Sequence, residues 1–297
     1  MKKVDGVFTG GGLKAFAFVG AIRELHKKGI GFERAAGTSA GALVAALIKA
    51  GYTSTEMEYL FEEMDAEQLL EPSRLPILSS FYRWLRVYKS MGLYKGRRFE
   101  DWVFTVLKQK GIITFGDLEP GSLKMIASDL THGRLVVLPD DLVHYGLIPE
   151  QFSIARAVRM SCSLPFFFEP VKLVSNEGQR ALVVDGGVLS NFPIWLFFSE
   201  EMKNPVRPVL GLRLSPAADY TSPMEIKNAF NMLHSLFETM RQAHDQRHIA
   251  TKFERNIIFI PTEDIPVTQF SLDVEMKERL IAAGAKSTGK FLKAWSY

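Results

Sequence analysis

The first fifty or so residues alternate between two hydrophobic periods, and this alternation restricts the fold more than any other feature. The apolar run VDGVFTG predicts a buried strand, which the glycine triplet Gly10–Gly12 interrupts. The next segment, LKAFAFVGAIRELHKKG, has apolar residues at helical spacing and ends at Gly29. FERAAG predicts a second strand, and GALVAALIKAG predicts a helix that is buried nearly all round. This order of strand, helix, strand and helix favours a parallel sheet covered by helices.

The alternation continues along the rest of the chain. Residues 54–70 predict an acidic helix, and LKMIASDL and GRLVVLP predict two strands around a turn at Thr131–Gly133. ALVVDGG predicts a buried strand that ends at Asp185, and RPVLGLRL predicts another. Later segments predict a long amphipathic helix (225–254), a strand (NIIFIP) and a closing helix (272–295). We therefore expect a single α/β domain over residues 1–297, with a mostly parallel central sheet sandwiched between helices.

The charge balance and the length of the apolar runs restrict the function. The 36 basic and 33 acidic side chains give a net charge of +3, so we expect no nucleic-acid partner. No stretch without a charge, Ala35–Ile48 included, exceeds 14 residues, fewer than the roughly 20 that a spanning helix needs. Asp5 and Lys14 interrupt the N-terminal apolar runs, which is not typical of a signal peptide, so we predict a cytoplasmic protein. The single cysteine, Cys162, is predicted to be a small buried hydrophobic residue.

Three glycine motifs, TGGGLKA, GTSAG and VVDGG, stand at the ends of predicted strands. In GTSAG the strand and helix must pack so tightly around Ser39 that Gly37 and Gly41 leave room for little more than a hydrogen atom. This turn would hold Ser39 at the carboxyl edge of the sheet, at a helix N-terminus that favours developing negative charge. The amides of the glycine triplet can converge on one point, as an oxyanion hole requires. The motifs together predict a serine nucleophile with oxyanion donors beside it.

A serine hydroxyl needs a general base to act as a nucleophile, and the sequence pattern alone does not identify that base. The α/β-hydrolase order places an acid and then a histidine after the serine. His234, His244 and His248 follow Asp185, but they lie inside the predicted helix 225–254 and not on a loop after a late strand. The alternatives for the three motifs are a helix N-cap at Ser39, a turn-initiating Asp185 and a phosphate-cradling glycine loop. The last would make the chain a phosphoryl-ligand binding protein, although GGGLKA fits neither G-x-G-x-x-G nor the P-loop spacing.

The motifs GGGLKA, GTSAG and DGG, in this order, resemble those of the patatin-like phospholipases, lipid acyl hydrolases that use a Ser-Asp dyad without histidine. The resemblance extends to IASDLTHG and AVRMSCSLPFFFEP and covers most of residues 4–191. One departure is Ala15, where the family usually has a further glycine, and alanine is acceptable in a first helical turn. The resemblance implies that Ser39 is the nucleophile and that Asp185 is the base. The further positions that it implies are the oxyanion-hole residues Gly10, Gly11 and Gly12, the basic residue Lys14 and the supporting glycines Gly37, Gly41, Gly186 and Gly187.

The implied activity is cleavage of a phospholipid, a lysophospholipid or another fatty-acyl ester through an acyl-enzyme, without a cofactor or a metal. An acyltransferase with the same nucleophile is the alternative within this chemistry. His244 and His248 stand four residues apart, but without a third ligand motif we expect them to be structural.

The stretch from Phe81 to Phe99 is basic and aromatic, with no acidic residue. Such a segment can lie on an anionic lipid surface with its aromatic rings at headgroup level. The alternative is a helix whose aromatic residues pack on the core and whose charges face water. The residues predicted to make a peripheral membrane contact are Arg83, Trp84, Arg86 and Lys89.

Overall fold

The computed structural model describes residues 2–64, 69–70, 87–174, 178, 180–197, 207–216, 254–262 and 271–295, together with positions 226, 232, 235, 236 and 239. The α-helices in these ranges are α1 (Phe16–Lys27), α2 (Ala40–Lys49), α3 (Ser54–Glu63), α4 (Arg97–Gln109), α5 (Ile154–Ser161) and α6 (Val274–Ala294). The strands are β1 (Lys2–Phe8), β2 (Ile30–Thr38), β3 (Gly92–Tyr94), β4 (Leu123–Asp129), β5 (Arg134–Leu138), β6 (Phe166–Phe168), β7 (Val171–Val174), β8 (Arg180–Asp185), β9 (Val209–Pro216) and β10 (Ile257–Thr262).

Among the described residues, one sheet has the strand order β10-β9-β1-β2-β4-β8-β7, with β5 paired to β4. The pairs β10–β9, β9–β1, β1–β2 and β2–β4 are parallel. The pairs β4–β5, β4–β8 and β7–β8 are antiparallel. A separate ribbon consists of the parallel strands β3 and β6. The predicted fold class, an α/β structure with a mostly parallel central sheet, is confirmed.

Side chains of β1 alternate between two hydrophobic clusters, as the pleat of a strand with two covered faces requires. Val4 and Phe8 belong to the larger cluster, which includes residues of α1 and α2. Val7 belongs to a smaller cluster, which includes Phe192 and Ile194. Both faces of the strand that leads into the glycine triplet are therefore buried.

The predicted order of elements is confirmed at both ends of the described chain. β1, α1, β2 and α2 follow one another, with a short 3₁₀ turn at Gly12–Ala15 before α1. The hairpin predicted around Thr131–Gly133 is β4–β5, in which Asp129 pairs with Arg134. The strand NIIFIP and the closing helix are β10 and α6. α6 packs closely on α1, because a Cβ atom on Gly284 would lie 1.8 Å from the Ala17 carbonyl oxygen.

Some boundaries and elements differ from the expectation. α3 ends at Glu63 and not at residue 70, and residues 65–68 are outside the described part of the chain. The helices α4 and α5 were not predicted. The predicted helix 225–254 falls largely outside the described residues.

Candidate active site

Ser39 stands between β2 and α2 with φ of 54° and ψ of −126°, a conformation that L-residues rarely adopt. The two flanking glycines permit this turn. A Cβ atom on Gly41 would lie 2.3 Å from the Phe8 carbonyl oxygen, and one on Gly37 would lie 2.3 Å from the Gly41 carbonyl oxygen. The neighbouring atoms belong to the backbone, so no side chain can move aside. The turn therefore presents Ser39 from a strained and tightly packed backbone, as the sequence predicted.

The glycine triplet passes directly beside this turn. A Cβ atom on Gly10 would lie 2.5 Å from Asn191 Oδ1 and 3.1 Å from Ser39 Cβ. Gly12 has φ of 58°, in the left-handed region that glycine adopts without strain, and it begins the 3₁₀ turn that leads into α1. Gly11 and Gly12 line the same pocket as Ser39. Their placement brings backbone amides of the triplet and the serine turn to one edge of the sheet.

Asp185 ends β8 and is almost wholly buried, with 3% of its surface exposed. Its Oδ1 atom accepts a hydrogen bond of 2.7 Å from the Gly187 amide, so the turn orients the carboxylate. Gly186 approaches β4 so closely that a Cβ atom would lie 2.2 Å from the Ile126 carbonyl oxygen. The glycines after Asp185 thus allow the carboxylate to sit where β8 meets β4.

Ser39 and Asp185 line one pocket, although they stand 146 positions apart in the sequence. The empty space inside this pocket, including its open side, is about 1020 Å³. Apolar side chains form most of the wall: Leu13, Phe16, Leu43, Phe61, Met64, Leu69, Leu70, Phe99, Leu164 and Phe168. Polar groups are confined to the end that holds the serine and the aspartate, which suits a ligand with one polar group and a long apolar part.

Cys162 lies in the pocket wall between these two residues, a position that sequence reasoning missed. Its thiol is within hydrogen-bonding reach of the Ser39 side chain. Burial raises the pKa of the Cys162 thiol, and the nearby Asp185 charge raises it further. Cys162 is partly buried and packs against the larger hydrophobic cluster, in line with the prediction of a buried hydrophobic residue, but it also lines the pocket. Cysteine carries no sequence signal that separates these two environments.

Asn191 is the other polar lining residue that sequence reasoning missed. It is 7% exposed, it lines the pocket, and its backbone carbonyl accepts a 3.2 Å hydrogen bond from the Gly10 amide. The segment after the Asp-Gly-Gly motif thus supports the glycine triplet.

The described histidines do not lie among the described lining residues of the pocket. His132 contacts Asp129, with 2.6 Å between Nδ1 and Oδ2, and burial lowers the pKa of His26. His234, His244 and His248, the candidates for a triad, are outside the described residues. Within the described ranges, no group of three or more His, Cys, Asp or Glu side chains could hold a metal ion.

Part of the predicted membrane-contact segment can be placed. Arg83, Trp84 and Arg86 are outside the described residues, whereas Lys89 is exposed. Residues 87–98, named here the basic segment, carry four exposed cations and no acidic residue: Lys89, Lys95, Arg97 and Arg98. No helix in the described part of the chain is long and apolar enough to cross a membrane.

The fold and the pocket first define a class, namely an α/β protein with a serine-bearing strand-to-helix turn in the wall of an apolar cavity. The model of the family described as Patatin-like phospholipase matches residues 6–198. The chain therefore belongs to the patatin-like phospholipase family of lipid hydrolases.

Similar proteins extend over nearly the whole chain. It is 53% identical over 296 residues to the uncharacterized protein YqhO of Bacillus subtilis (strain 168), with 99% of each chain covered. It is 26% identical over 289 residues to the cUMP-AMP-activated phospholipase of Escherichia coli, with 91% of this chain and 81% of that protein covered. The crystal structure of VipD from Legionella pneumophila has a TM-score of 0.54 at 17% identity and covers 99% of this chain and 67% of VipD. The likeness to VipD concerns the fold alone.

Proposed function

We propose that this protein is a lipid acyl hydrolase that cleaves a fatty-acyl ester with Ser39 as nucleophile and Asp185 as general base. The observation that carries the proposal is the shared pocket, in which both side chains stand at the polar end of an otherwise apolar wall. Aspartate is a weak base, so its efficiency depends on orientation, and the hydrogen bond from the Gly187 amide fixes the Asp185 carboxylate in the pocket wall.

The reaction follows from this arrangement in two steps. Ser39 Oγ attacks the ester carbonyl carbon while its proton passes to Asp185, and the carbonyl oxygen becomes an oxyanion. The amides of Gly11 and Gly12 would stabilise this charge. The Gly10 amide, which was also expected to contribute, instead donates its hydrogen bond to the Asn191 carbonyl oxygen. The tetrahedral intermediate collapses, the C–O bond to the alcohol breaks, and the alcohol leaves with the proton from Asp185. Water then attacks the acyl-enzyme with Asp185 again as base, and the fatty acid is released.

The shape of the pocket supports a long-chain substrate. Removal of apolar surface from water contributes about 25 cal/mol per Å², so each buried methylene of an acyl chain adds roughly 0.8 kcal/mol of binding. Phe16 and Phe61 pack edge to face in the wall, with 5.5 Å between ring centroids. The name of the Escherichia coli relative supports a phospholipid as the acyl donor.

Labelling with a fluorophosphonate, followed by mapping of the adduct, tests the proposed nucleophile. We expect one adduct, on Ser39, and we expect Ser39→Ala to lose both labelling and turnover of a short-chain ester. Ser39→Ala should still melt like the parent, because the change removes one hydroxyl and fills no space. An adduct on another residue, or near-parental turnover in Ser39→Ala, would contradict the proposal.

We also propose that the basic segment rests on an anionic membrane surface when the enzyme takes its substrate. Arg97 and Arg98 occupy the first turn of α4, where the helix dipole disfavours cations and where anionic headgroups would offset that repulsion. Tyr88 is 79% exposed beside Lys89, which places an aromatic ring among the charges. Phe99 follows the segment directly and lines the pocket, so a lipid at this surface would be close to the site.

A further inference from the structure

The turn that ends α5 lies between the two residues of the proposed dyad and bonds to the backbone of both. The Ser39 amide donates a hydrogen bond of 2.9 Å to Ser161 Oγ. The Asp185 amide donates a hydrogen bond of 2.8 Å to the Ser163 carbonyl oxygen. Ser161 and Ser163 are both 0% exposed, and Cys162 between them lines the pocket. Residues 161–163, named here the bracket, thus join two motifs that are far apart in the sequence.

The Ser161 hydroxyl connects the nucleophile turn to the sheet. It accepts from the Ser39 amide and donates its own hydrogen to the Ile126 carbonyl oxygen at 2.6 Å. Ile126 is the residue of β4 that pairs with Thr38, the last residue of β2. The Ser161 hydroxyl therefore links the Ser39 amide to β4 through two hydrogen bonds, at the point where the chain leaves β2.

Ser39 depends on such support because of its backbone conformation. A residue with φ of 54° and ψ of −126° persists only where its surroundings hold it. The direction of Ser39 Oγ follows from this backbone, and a misplacement of about 1 Å at a reacting group can cost about 10²-fold in rate.

The bracket is itself fixed from its other side by a buried cation. Arg159 is 3% exposed, and its Nη1 atom donates to Ser163 Oγ. Its Nη2 atom donates to the carbonyl oxygens of Lys95 at 2.7 Å and Glu169 at 2.8 Å. Arg159 therefore connects the bracket to the chain before α4 and to the chain after β6. These bonds hold the bracket in place, so it cannot readily shift if Ser39 moves.

We propose that Ser161 is a positioning residue of the hydrolase: its hydroxyl holds the Ser39 amide and thereby sets the direction of the nucleophile toward Asp185. Ser161 acts through Ser39 and does not touch the substrate. This inference rests on the proposed function, because it assigns Ser161 a role only if Ser39 is the nucleophile.

Ser161→Ala tests the proposal, with Ser128→Ala as a matched control. Ser128 lies on β4, is also 0% exposed, and its Oγ has no hydrogen-bond partner within the described structure. Both variants therefore remove one buried hydroxyl, but only one of them removes the support of Ser39. For Ser161→Ala we expect kcat on a short-chain ester to fall about 30- to 100-fold, with KM within about twofold of the parent. The fluorophosphonate labelling rate should fall by a similar factor, and Ser128→Ala should keep the parental values.

Ser161→Cys provides the second variant, because a thiol keeps an unbranched shape but makes weaker hydrogen bonds. We expect kcat and the labelling rate to decrease in the order serine, cysteine, alanine. If Ser161→Ala does not melt cooperatively, Ser161→Cys decides alone: reduced kcat and labelling at unchanged KM support the proposal, and parental values overturn it. Parental kcat and labelling in a folded Ser161→Ala overturn the positioning role while the proposed function stands. Retained turnover in Ser39→Ala would instead overturn the nucleophile assignment and this role with it.

Discussion

Gly41→Ala should push the turn that carries Ser39 away from the glycine triplet Gly10–Gly12. The added Cβ atom would lie 2.3 Å from the Phe8 carbonyl oxygen and 2.6 Å from that of Thr9, whereas real Cβ contacts are almost never shorter than 3.0 Å. Both neighbours are backbone atoms at the end of β1, so the turn must move by about 1 Å. The triplet follows β1 directly, and the displacement therefore changes the distance between Ser39 and the proposed oxyanion donors. A shift of that size predicts a loss of about 10²-fold in kcat.

Stability should fall as well, because overpacking of a buried contact costs about 1–3 kcal/mol, which corresponds to a Tm lowered by roughly 5 °C. Gly289→Ala is the matched control: it lies in α6, and apart from the backbone of that helix the added Cβ atom would have no neighbour within 4 Å. Alanine favours a helix over glycine by about 1 kcal/mol, so this variant should keep full turnover and melt slightly higher. Measurements of short-chain ester turnover and thermal melting on both variants test this prediction. Parental kcat and Tm in Gly41→Ala would refute the reasoning from close approach.

Three further predictions concern the base, the thiol and the membrane surface. Asp185→Asn cannot accept the serine proton, so turnover should collapse by a factor on the order of a hundred or more at unchanged folding, whereas a merely structural aspartate would lose Tm and not turnover. Alkylation of Cys162 by a maleimide should block the pocket and abolish turnover. The raised pKa keeps the thiol protonated at neutral pH, so alkylation should be slow there and accelerate as pH rises; fast alkylation at pH 7 would contradict the burial. Changing the cations of the basic segment to glutamine should weaken binding to anionic vesicles, most strongly at low salt, and leave short-chain ester turnover unchanged; equal binding at all salt concentrations would exclude the contact.

Hydrophobic periodicity was sufficient for the elements that form the centre of the sheet. α2 is buried almost throughout and has a long apolar run, and Val4, Val7 and Phe8 of β1 are all buried, so the patterns of both elements were sufficient. α5 was missed because it has only eight residues and carries Arg156 and Arg159 within an apolar segment. Arg159 is nearly buried because backbone carbonyls and a neighbouring serine receive its hydrogen bonds, a tertiary arrangement that local propensity does not encode.

Ser39 and Asp185, the two residues predicted for the polar end of the pocket, stand in short local motifs, whereas the rest of the pocket lining does not. Glycines two residues before and two residues after a serine, as Gly37 and Gly41 are placed around Ser39, are typical of a tight strand-to-helix turn. The apolar wall, in contrast, is assembled from α1, α2, α3, α4 and the segment near β6, so its residues have no common sequence pattern. Cys162 and Asn191 join them only through the fold. Their roles therefore had no local signal from which to be predicted.

The glycines of this site lie where distant parts of the chain come into close contact. This explains why their roles could be predicted from the sequence and the role of Ser161 could not. Gly10 meets Ser39 and Asn191, Gly41 meets the end of β1, and Gly186 meets Ile126. In each case a backbone comes too close to another backbone or polar group for any larger residue, so the requirement appears in the sequence as an obligatory glycine. A supporting hydroxyl leaves no such trace, because serine is tolerated at many buried and exposed positions. The Ile126 carbonyl oxygen has neighbours of both kinds. The Gly186 backbone comes close to it because glycine has no side chain, and the Ser161 hydroxyl donates a hydrogen bond to it. The geometry around Ser39 therefore depends on two kinds of residue, and only the kind defined by steric exclusion is visible before the fold is known.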